Sequence, residues 1–271
     1  MIREAHVTIG DRKTRYLEAG AGWPVLLIHG FPLNADMWRP QLERVPDGWR
    51  FVAPDLRGFG PAAAPGPEAA ATTTMDDFAG DLVVLLDRLH IDRAVIGGLS
   101  MGGYVTFALF RRSPERFSGI VLADTKSPAD TPEGREGRRK MIELVRASGA
   151  AAVADQMLPK LLGAASARTR PELVSQVRQM IESTSVSAIA GALEALSARP
   201  DSTPDLARVA YPALIVVGAE DVLTPVADSE ALDRGIARSS LVVLPGAGHL
   251  SNLESPDAFS KALADFLASS L

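Results

Sequence analysis

The sequence predicts an α/β fold: a mainly parallel sheet with helices on both faces, interrupted by a helical insertion. Short apolar runs, typical of strands buried on both faces, alternate with amphipathic helical patterns through the first half of the chain. The stretch 127–204 is rich in Ala, Ser, Arg and Glu and contains no strand-like run, whereas strand patterns return after it. With 271 residues, 46% of them hydrophobic, the chain is long enough for one core domain that carries one insertion.

The core begins with a predicted antiparallel hairpin, in which segments 5–9 and 14–18 flank a Gly-Asp turn. Four short apolar runs follow, and each has the length and composition of a strand buried on both faces. These predicted strands lie at 25–28, 51–53, 94–96 and 120–122.

Two helices are predicted between these strands. Apolar residues at i, i+4 and i+7 predict a helix at 76–89, with Thr74 or Asp76 as its N-cap. The second helix is predicted at 101–112, where a Ser-Pro pair ends it. The Pro- and Ala-rich stretch 61–74 predicts a mobile loop ahead of the first of them.

The insertion divides the core, so that we predict a first core segment at 1–126, a helical cap at 127–204 and a second core segment at 205–271. Helices are predicted inside the cap at 133–148, 150–162, 171–183 and 186–198. Two strands and an amphipathic helix complete the core at 213–217, 241–244 and 257–267.

Composition excludes several classes of function. The absence of cysteine excludes disulfides, thiolate metal sites and a cysteine nucleophile. A net charge of −5 without a basic run argues against nucleic acid or an anionic membrane as partner. No apolar run approaches the roughly 18 residues of a membrane span, and the first residues lack a signal-peptide pattern. We therefore expect a cytoplasmic protein with a small-molecule substrate.

The sharpest chemical signal is the run Gly-Leu-Ser-Met-Gly at 98–102, placed where a predicted strand turns into a predicted helix. A serine nucleophile must project from a sharp, strained turn of this kind, and side chains two residues before and after it would clash. The helix N-terminus behind Ser100 offers free N–H groups to a developing oxyanion. Ser100 is the predicted nucleophile.

A serine needs a base, and the chain has four histidines. His6 lies in the hairpin, His90 ends a helix, and His29 is expected to brace the neighbouring loop. His249 follows the strand at 241–244 in a Gly-Ala-Gly-His loop, which suits a base that serves both nucleophile and leaving group. His249 is the predicted base.

The acid that orients the base should also leave the carboxyl end of a core strand. Asp221 meets this condition in the run Gly-Ala-Glu-Asp and is the predicted acid. Asp124, which also ends a central strand, stays open as a rival, and Glu220 is a weaker one. The resulting order along the chain, Ser, Asp, His, resembles the order of the triad residues in α/β-hydrolases.

An oxyanion hole needs two N–H donors. The residue after the nucleophile, Met101, supplies one, and Phe31 in the run His-Gly-Phe-Pro at 29–32 supplies the other. The Phe31 side chain is also predicted to line the substrate site, together with Trp38. The apolar residues of the cap that could line the same cleft are Met157, Leu158, Leu161 and Leu162.

Five motifs in order carry a resemblance to the α/β-hydrolase superfamily over essentially the whole chain. They are His-Gly-Phe-Pro at 29–32, Asp-Leu-Arg-Gly-Phe-Gly at 55–60, Gly-Leu-Ser-Met-Gly-Gly at 98–103, Gly-Ala-Glu-Asp at 218–221 and Gly-Ala-Gly-His at 246–249. The sequence looks most like small bacterial carboxylesterases and lactonases, similar to 3-oxoadipate enol-lactonases and acyl-homoserine lactonases. The resemblance implies a mostly parallel eight-stranded sheet and a helical cap.

Together these patterns predict a cofactor-free serine hydrolase of carboxylic esters or lactones that forms an acyl-enzyme intermediate. The run at 98–103 and the Phe after His-Gly also resemble cofactor-free haloperoxidases, so a perhydrolase using the same triad stays open. The third alternative is a hydrolase-like protein that binds a ligand without turnover.

Overall fold

The computed structural model describes residues 1–61 and 73–270, so most of the loop predicted at 61–74 lies outside the described residues. The described chain forms one eight-stranded sheet in the order β1-β2-β4-β3-β5-β6-β7-β8. The pairs β1–β2 and β2–β4 are antiparallel, and the other neighbours are parallel. The strands are β1 Arg3–Ile9, β2 Arg12–Gly20, β3 Trp23–Ile28, β4 Trp49–Pro54, β5 Ala94–Leu99, β6 Phe117–Ala123, β7 Ala213–Gly218 and β8 Ser239–Leu244. The predicted α/β fold with its eight-stranded sheet is confirmed.

Burial explains the apolar runs that predicted the central strands. Every residue of β5 and of β7 is buried, because helices cover both faces of the parallel part of the sheet. At the sheet edge, β1 is exposed along most of its length, and Gly10 forms the hairpin turn with φ of 61°. The predicted hairpin is therefore confirmed.

The described residues contain eleven α-helices, and a 3₁₀ turn precedes the first of them. Thr74 caps α2 through a capping box, in which its hydroxyl accepts from the Asp77 N–H while the Asp77 carboxylate accepts from the Thr74 N–H. This contact decides between the two predicted N-caps. The helices are α1 Arg39–Leu42, α2 Met75–Arg88, α3 Met101–Arg112, α4 Pro132–Leu161, α5 Ala164–Thr169, α6 Pro171–Glu182, α7 Val186–Ala198, α8 Thr203–Leu206, α9 Val226–Gly235, α10 Ser251–Glu254 and α11 Pro256–Ser270.

Helices α4 to α7 occupy the insertion between β6 and β7, with α4 packed along α6 and α7. Gly149 breaks α4 into two helical segments, since its φ of 76° and ψ of −178° are not helical. This break lies between the two helices that the sequence predicts at 133–148 and 150–162. The boundaries of the cap at 127 and 204 stay a prediction. Within the described ranges 1–61 and 73–270, no helix is long and apolar enough to cross a bilayer.

Two glycines of α4 should respond to alanine in opposite directions. Gly149 has a backbone conformation that essentially only glycine adopts, so Gly149→Ala should lower the free energy of unfolding by about 1–3 kcal/mol. A Cβ on Gly137 would meet no neighbouring atom, and Gly137→Ala should raise the free energy of unfolding by about 0.5–1 kcal/mol. Urea denaturation of both variants checks this prediction, and equal effects would contradict the break at Gly149.

Candidate active site

The predicted site residues meet at one edge of the sheet. Ser100 directly follows β5, Asp221 lies three residues after β7, and His249 lies five residues after β8. Because these three strands are parallel, their carboxyl ends lie on the same edge, where open α/β sheets place their ligand sites.

Ser100 occupies the strained turn that the sequence predicts. Its φ of 56° and ψ of −114° are rare for any residue with a side chain, and its N–H is held by the Ala123 carbonyl at 2.9 Å. A Cβ on Gly98 would lie 2.8 Å from the Gly102 Cα, and one on Gly102 would collide with the Ile28 carbonyl oxygen. The two glycines therefore permit the close approach of β3 and α3 behind the serine.

His249 is paired with Asp221. The His249 Nδ1 lies 2.8 Å from Asp221 Oδ2, and both side chains are buried. The Asp221 carboxylate also accepts from the N–H groups of Leu223 at 2.8 Å and Thr224 at 3.0 Å, and from the Thr224 hydroxyl at 2.7 Å. Burial raises the pKa of Asp221, but the contacts with His249 and Thr224 outweigh it and lower the pKa below its ordinary value. The carboxyl therefore stays ionised beside the imidazole.

The rival carboxylate, Asp124, has other partners. It accepts from the Gly218 N–H at 2.9 Å and from the Ser251 hydroxyl at 2.5 Å. Burial, followed by the neighbouring charge of Asp221, raises the pKa of Asp124 well above its ordinary value. Asp124 thus connects the end of β7 with the start of α10, and the structure pairs the histidine with Asp221. Glu220, the weaker rival, is exposed.

A cavity of about 370 Å³ joins the site residues. Ser100 and His249 both line it, and Phe31, Met101 and Thr224 lie in the same wall. Tyr104 and Leu193 belong to the lining as well, so the cavity extends between the core and the cap. Phe31 thus lines the same cavity as Ser100, and its contact with a substrate stays a prediction.

Two backbone N–H groups are available in this wall. Met101 is the first residue of α3, and the N–H groups of a first helical turn have no partner within the helix. Phe31 is buried, with only 5% of its surface exposed. Its N–H nevertheless donates no hydrogen bond to any residue of the described ranges. Buried N–H groups without a partner are rare, which favours a bound oxygen atom as their acceptor.

The prediction that Trp38 lines the substrate site is wrong. Its side chain is fully buried and packs against Phe259 of α11, with 5.8 Å between the ring centroids. The 3₁₀ turn Ala35–Trp38 directs the indole into the core, and Trp38 is not among the described residues that line the cavity. Of the four apolar cap residues considered, Met157 lines the cavity, whereas Leu158, Leu161 and Leu162 are buried in the hydrophobic core.

Comparison with known proteins identifies the family of the chain. A family model described as the alpha/beta hydrolase fold matches residues 24–256. The chain belongs to the α/β-hydrolase family. It is 32% identical to 3-oxoadipate enol-lactonase 2 of Acinetobacter baylyi over 260 residues, covering 95% of this chain and 94% of that protein. A Synechocystis protein provisionally named a non-heme chloroperoxidase is also 32% identical, over 97% of this chain and 99% of that protein. The solved structure of a thermophilic esterase from Thermogutta terrifontis superposes with a TM-score of 0.91 at 38% identity, covering 99% of both chains.

In this α/β-hydrolase, His29 braces the loop that carries Phe31, as the sequence predicts. His29 Nε2 accepts from the Leu56 N–H at 2.9 Å, so its Nδ1 holds the proton and donates to the Gly30 carbonyl at 3.0 Å. The loop after β4 is fixed in turn by Asp55, whose carboxylate accepts from the Ala35 N–H at 2.8 Å. Complete burial lowers the pKa of His29 to about 4, since a cation there would lose its hydration.

This shift gives the stability of the protein a defined pH dependence. The pKa of His29 is about 4 in the folded state, below the 6.5 of an unperturbed histidine, so the unfolded state binds the proton first as pH falls. The His29 contribution is complete above pH 6.5 and is lost progressively down to about pH 4. We expect the total loss of unfolding free energy from His29 to be about 3 kcal/mol.

The measurement is urea denaturation of the wild type and His29→Gln across this range. The difference in unfolding free energy between the two proteins isolates the effect of His29 from that of Asp55. Burial raises the pKa of Asp55 to about 6, so the titration of Asp55 makes the protein more stable, not less, as pH falls. A difference that stays constant between pH 6.5 and 4 would contradict the prediction.

Sequence patterns did not indicate two polar residues that support the site. Thr224 follows Asp221 by three residues, and its hydroxyl lies 2.7 Å from Asp221 Oδ2 and 3.3 Å from His249 Nδ1. The other is Glu254, at the end of α10. The spacing of three residues after Asp221 is a weak sequence signal for Thr224. No local sequence pattern indicates Glu254.

Glu254 joins the cap to the loop of His249. Its Oε1 accepts from the Gly248 N–H and its Oε2 from the Gly163 N–H, each at 2.9 Å. Gly248 precedes His249, and Gly163 lies between the cap helices α4 and α5. Burial raises the pKa of Glu254 above its ordinary value, while these two N–H groups and Ser166 oppose the shift. One carboxylate therefore satisfies buried backbone groups of both segments.

Removal of this carboxylate should destabilise the protein. Glu254→Ala leaves the Gly163 and Gly248 N–H groups buried without acceptors, which should lower the free energy of unfolding by about 3 kcal/mol. The matched control is Glu230→Ala on α9, where an exposed ion pair at 3.7 Å should contribute less than about 1 kcal/mol. Denaturant titration measures both, and similar values for the two variants would refute the bridging role of Glu254.

Proposed function

We propose that this α/β-hydrolase is a serine hydrolase of carboxylic esters or lactones that acts through Ser100, His249 and Asp221. The observation that carries the proposal is the contact of 2.8 Å between His249 and Asp221, beside a serine in a strained turn that lines the same cavity. The enol-lactonase and esterase among the similar proteins support the substrate class.

The contact with Asp221 determines the histidine tautomer. Because Nδ1 donates to the Asp221 carboxylate, Nε2 is left with a lone pair for the proton of Ser100. As Ser100 Oγ attacks the ester carbonyl, His249 takes that proton and becomes a cation. The ionised Asp221 stabilises this cation, and the low pKa of its carboxyl keeps the charge in place.

The attack produces a tetrahedral oxyanion, which the N–H groups of Phe31 and Met101 would stabilise. Collapse of this intermediate breaks the bond to the alcohol oxygen, and His249 returns its proton to the leaving alkoxide. Water then attacks the acyl-enzyme, His249 accepts one of its protons, and the second collapse releases the acid and restores Ser100. With a lactone, acid and alcohol leave as one hydroxy acid.

The proposal predicts a steep loss of activity without the serine. Ser100→Ala should lower kcat/KM at least about a thousandfold, because the nucleophile and base act as one unit. Asp221→Asn should be severe, whereas Asp124→Asn, whose partners are Gly218 and Ser251, should change kcat/KM by less than about tenfold. Acid release in a pH-stat measures all three variants on short esters, acyl-homoserine lactones and γ-lactones without a chromophore.

Retention of most activity by Ser100→Ala would overturn the mechanism. A severe loss of activity in Asp124→Asn together with a mild loss in Asp221→Asn would mean that Asp124, and not Asp221, is the acid that orients the histidine. A serine hydrolase should be labelled at Ser100 by a fluorophosphonate probe. Under the non-catalytic alternative, in which the protein binds a ligand without turnover, Ser100 should not be labelled.

A second candidate function differs in the molecule that attacks the acyl-enzyme. Hydrogen peroxide in place of water would yield a peracid, which oxidises halides in solution. The Synechocystis relative named as a chloroperoxidase favours this candidate. Halide oxidation with acetate and peroxide, measured beside acid release from esters, distinguishes the two acceptors.

A further inference from the structure

The cavity beside Ser100 is positively charged, although the whole chain has a net charge of −5. Three cationic side chains line it, and one carboxylate accompanies them in the described lining. Charges of one sign around a cleft with low-dielectric walls raise the local concentration of the opposite charge. The cations are Lys126, Arg138 and Lys160, and the carboxylate is Asp130.

Asp130 does not balance all of these charges, because two arginines already hold it. Its carboxylate lies 3.2 Å from Arg138 Nε and 2.7 Å from Arg199 Nη1. Arg199 is buried and stacks over the Tyr104 ring at 4.1 Å, so this pairing is fixed by the packing of the cap on the core. The carboxylate of Asp130 therefore balances the charge of Arg138, and the charges of the two lysines are not balanced by it.

Lys126 is the lysine nearest in the chain to the nucleophile. It follows Thr125, whose hydroxyl donates to the Ser100 carbonyl at 2.9 Å, so its backbone begins beside the turn that carries Ser100. Lys160 is exposed, whereas Lys126 is half-buried. A half-buried ammonium group has lost part of its hydration, and a paired anion would offset that loss.

No carboxylate of the described chain offers that pairing within salt-bridge distance. Asp228 on α9 is close enough for the charge of Lys126 to lower its pKa, although burial raises that pKa by more. Lys126 is therefore a cation that lines the cavity and forms no ion pair with an acidic residue of the described ranges.

We propose that Lys126 forms an anion subsite beside Ser100, and that the substrate is an ester or lactone that carries a carboxylate. This inference rests on the proposed function and adds the substrate class to it. Because the Lys126 backbone begins next to the Ser100 peptide, the carboxylate should lie within a few bonds of the scissile carbonyl. Monoesters of short dicarboxylic acids meet this condition.

The test compares two esters that differ in one group. Monoethyl glutarate has a carboxylate where ethyl valerate has a terminal methyl group, so the pair isolates the charge. The wild type should favour the glutarate monoester in kcat/KM by about tenfold or more, which is the usual effect of a hydrogen bond to a charged group. The preference should decrease as sodium chloride is raised, because salt screens the attraction.

Lys126→Met keeps the length of the side chain and removes its charge. It should lower kcat/KM for monoethyl glutarate about tenfold or more and change that for ethyl valerate less than about threefold. Lys126→Arg should restore most of the preference. Lys140→Met is the matched control for net charge, since Lys140 lies on the exposed side of α4 with Glu136 at 3.7 Å, and it should leave both rates unchanged.

Each other result has a defined meaning. Equal losses on both esters in Lys126→Met, or a loss that occurs in Lys160→Met and not in Lys126→Met, would overturn the assignment while leaving the proposed hydrolase intact. A wild type that hydrolyses ethyl valerate and shows no preference for the anionic ester would also overturn the subsite alone. A wild type that hydrolyses neither ester, together with no fluorophosphonate labelling of Ser100, would overturn the proposed function and this inference with it.

Discussion

The close approach of β3 and α3 at the turn carrying Ser100 is the constraint on which the rest of the site depends. A Cβ on Gly102 would collide with the Ile28 carbonyl oxygen, so glycine there allows the helix to start directly behind the serine. The Ser100 N–H donates to the Ala123 carbonyl, and the Ser100 carbonyl accepts from the Thr125 hydroxyl. The end of β6 and the residues after it therefore stabilise a backbone conformation that is costly by itself. The same approach places Met101, the first residue of α3, in the cavity wall.

Three buried carboxylates at this edge of the sheet are distinguished by what donates to them. Asp221 is held by two N–H groups, a hydroxyl and an imidazole, so its charge is retained beside His249. Asp124 receives one N–H and one hydroxyl and joins β7 to α10. Glu254 receives two N–H groups and joins the cap to the loop of His249. Similar chemical groups thus serve different purposes because their surroundings differ.

The cap brings charge to a cavity whose proposed reacting groups come from the core. Arg138 and Lys160 belong to α4, whereas Lys126 lies between β6 and the cap, so the positive lining is formed by both parts of the chain. Asp130 pairs with Arg138 and Arg199 inside the insertion. Arg199 in turn stacks over the Tyr104 ring of α3, which joins the insertion to the core. Substrate charge would therefore be recognised at the junction, while bond cleavage would take place on the sheet.

The sequence by itself predicted the strands, the helices and the strained turn that carries Ser100, because each depends on local information. Strands such as β5 are apolar on both faces, α2 carries its own capping box, and Ser100 needs glycines at fixed spacing. Contacts between distant segments were decided only by the tertiary structure. These include the burial of Trp38 against Phe259, the separate partners of Asp124 and Asp221, and the bridge made by Glu254. Such contacts join residues as many as 221 positions apart in the chain, where no periodicity or spacing rule relates one partner to the other.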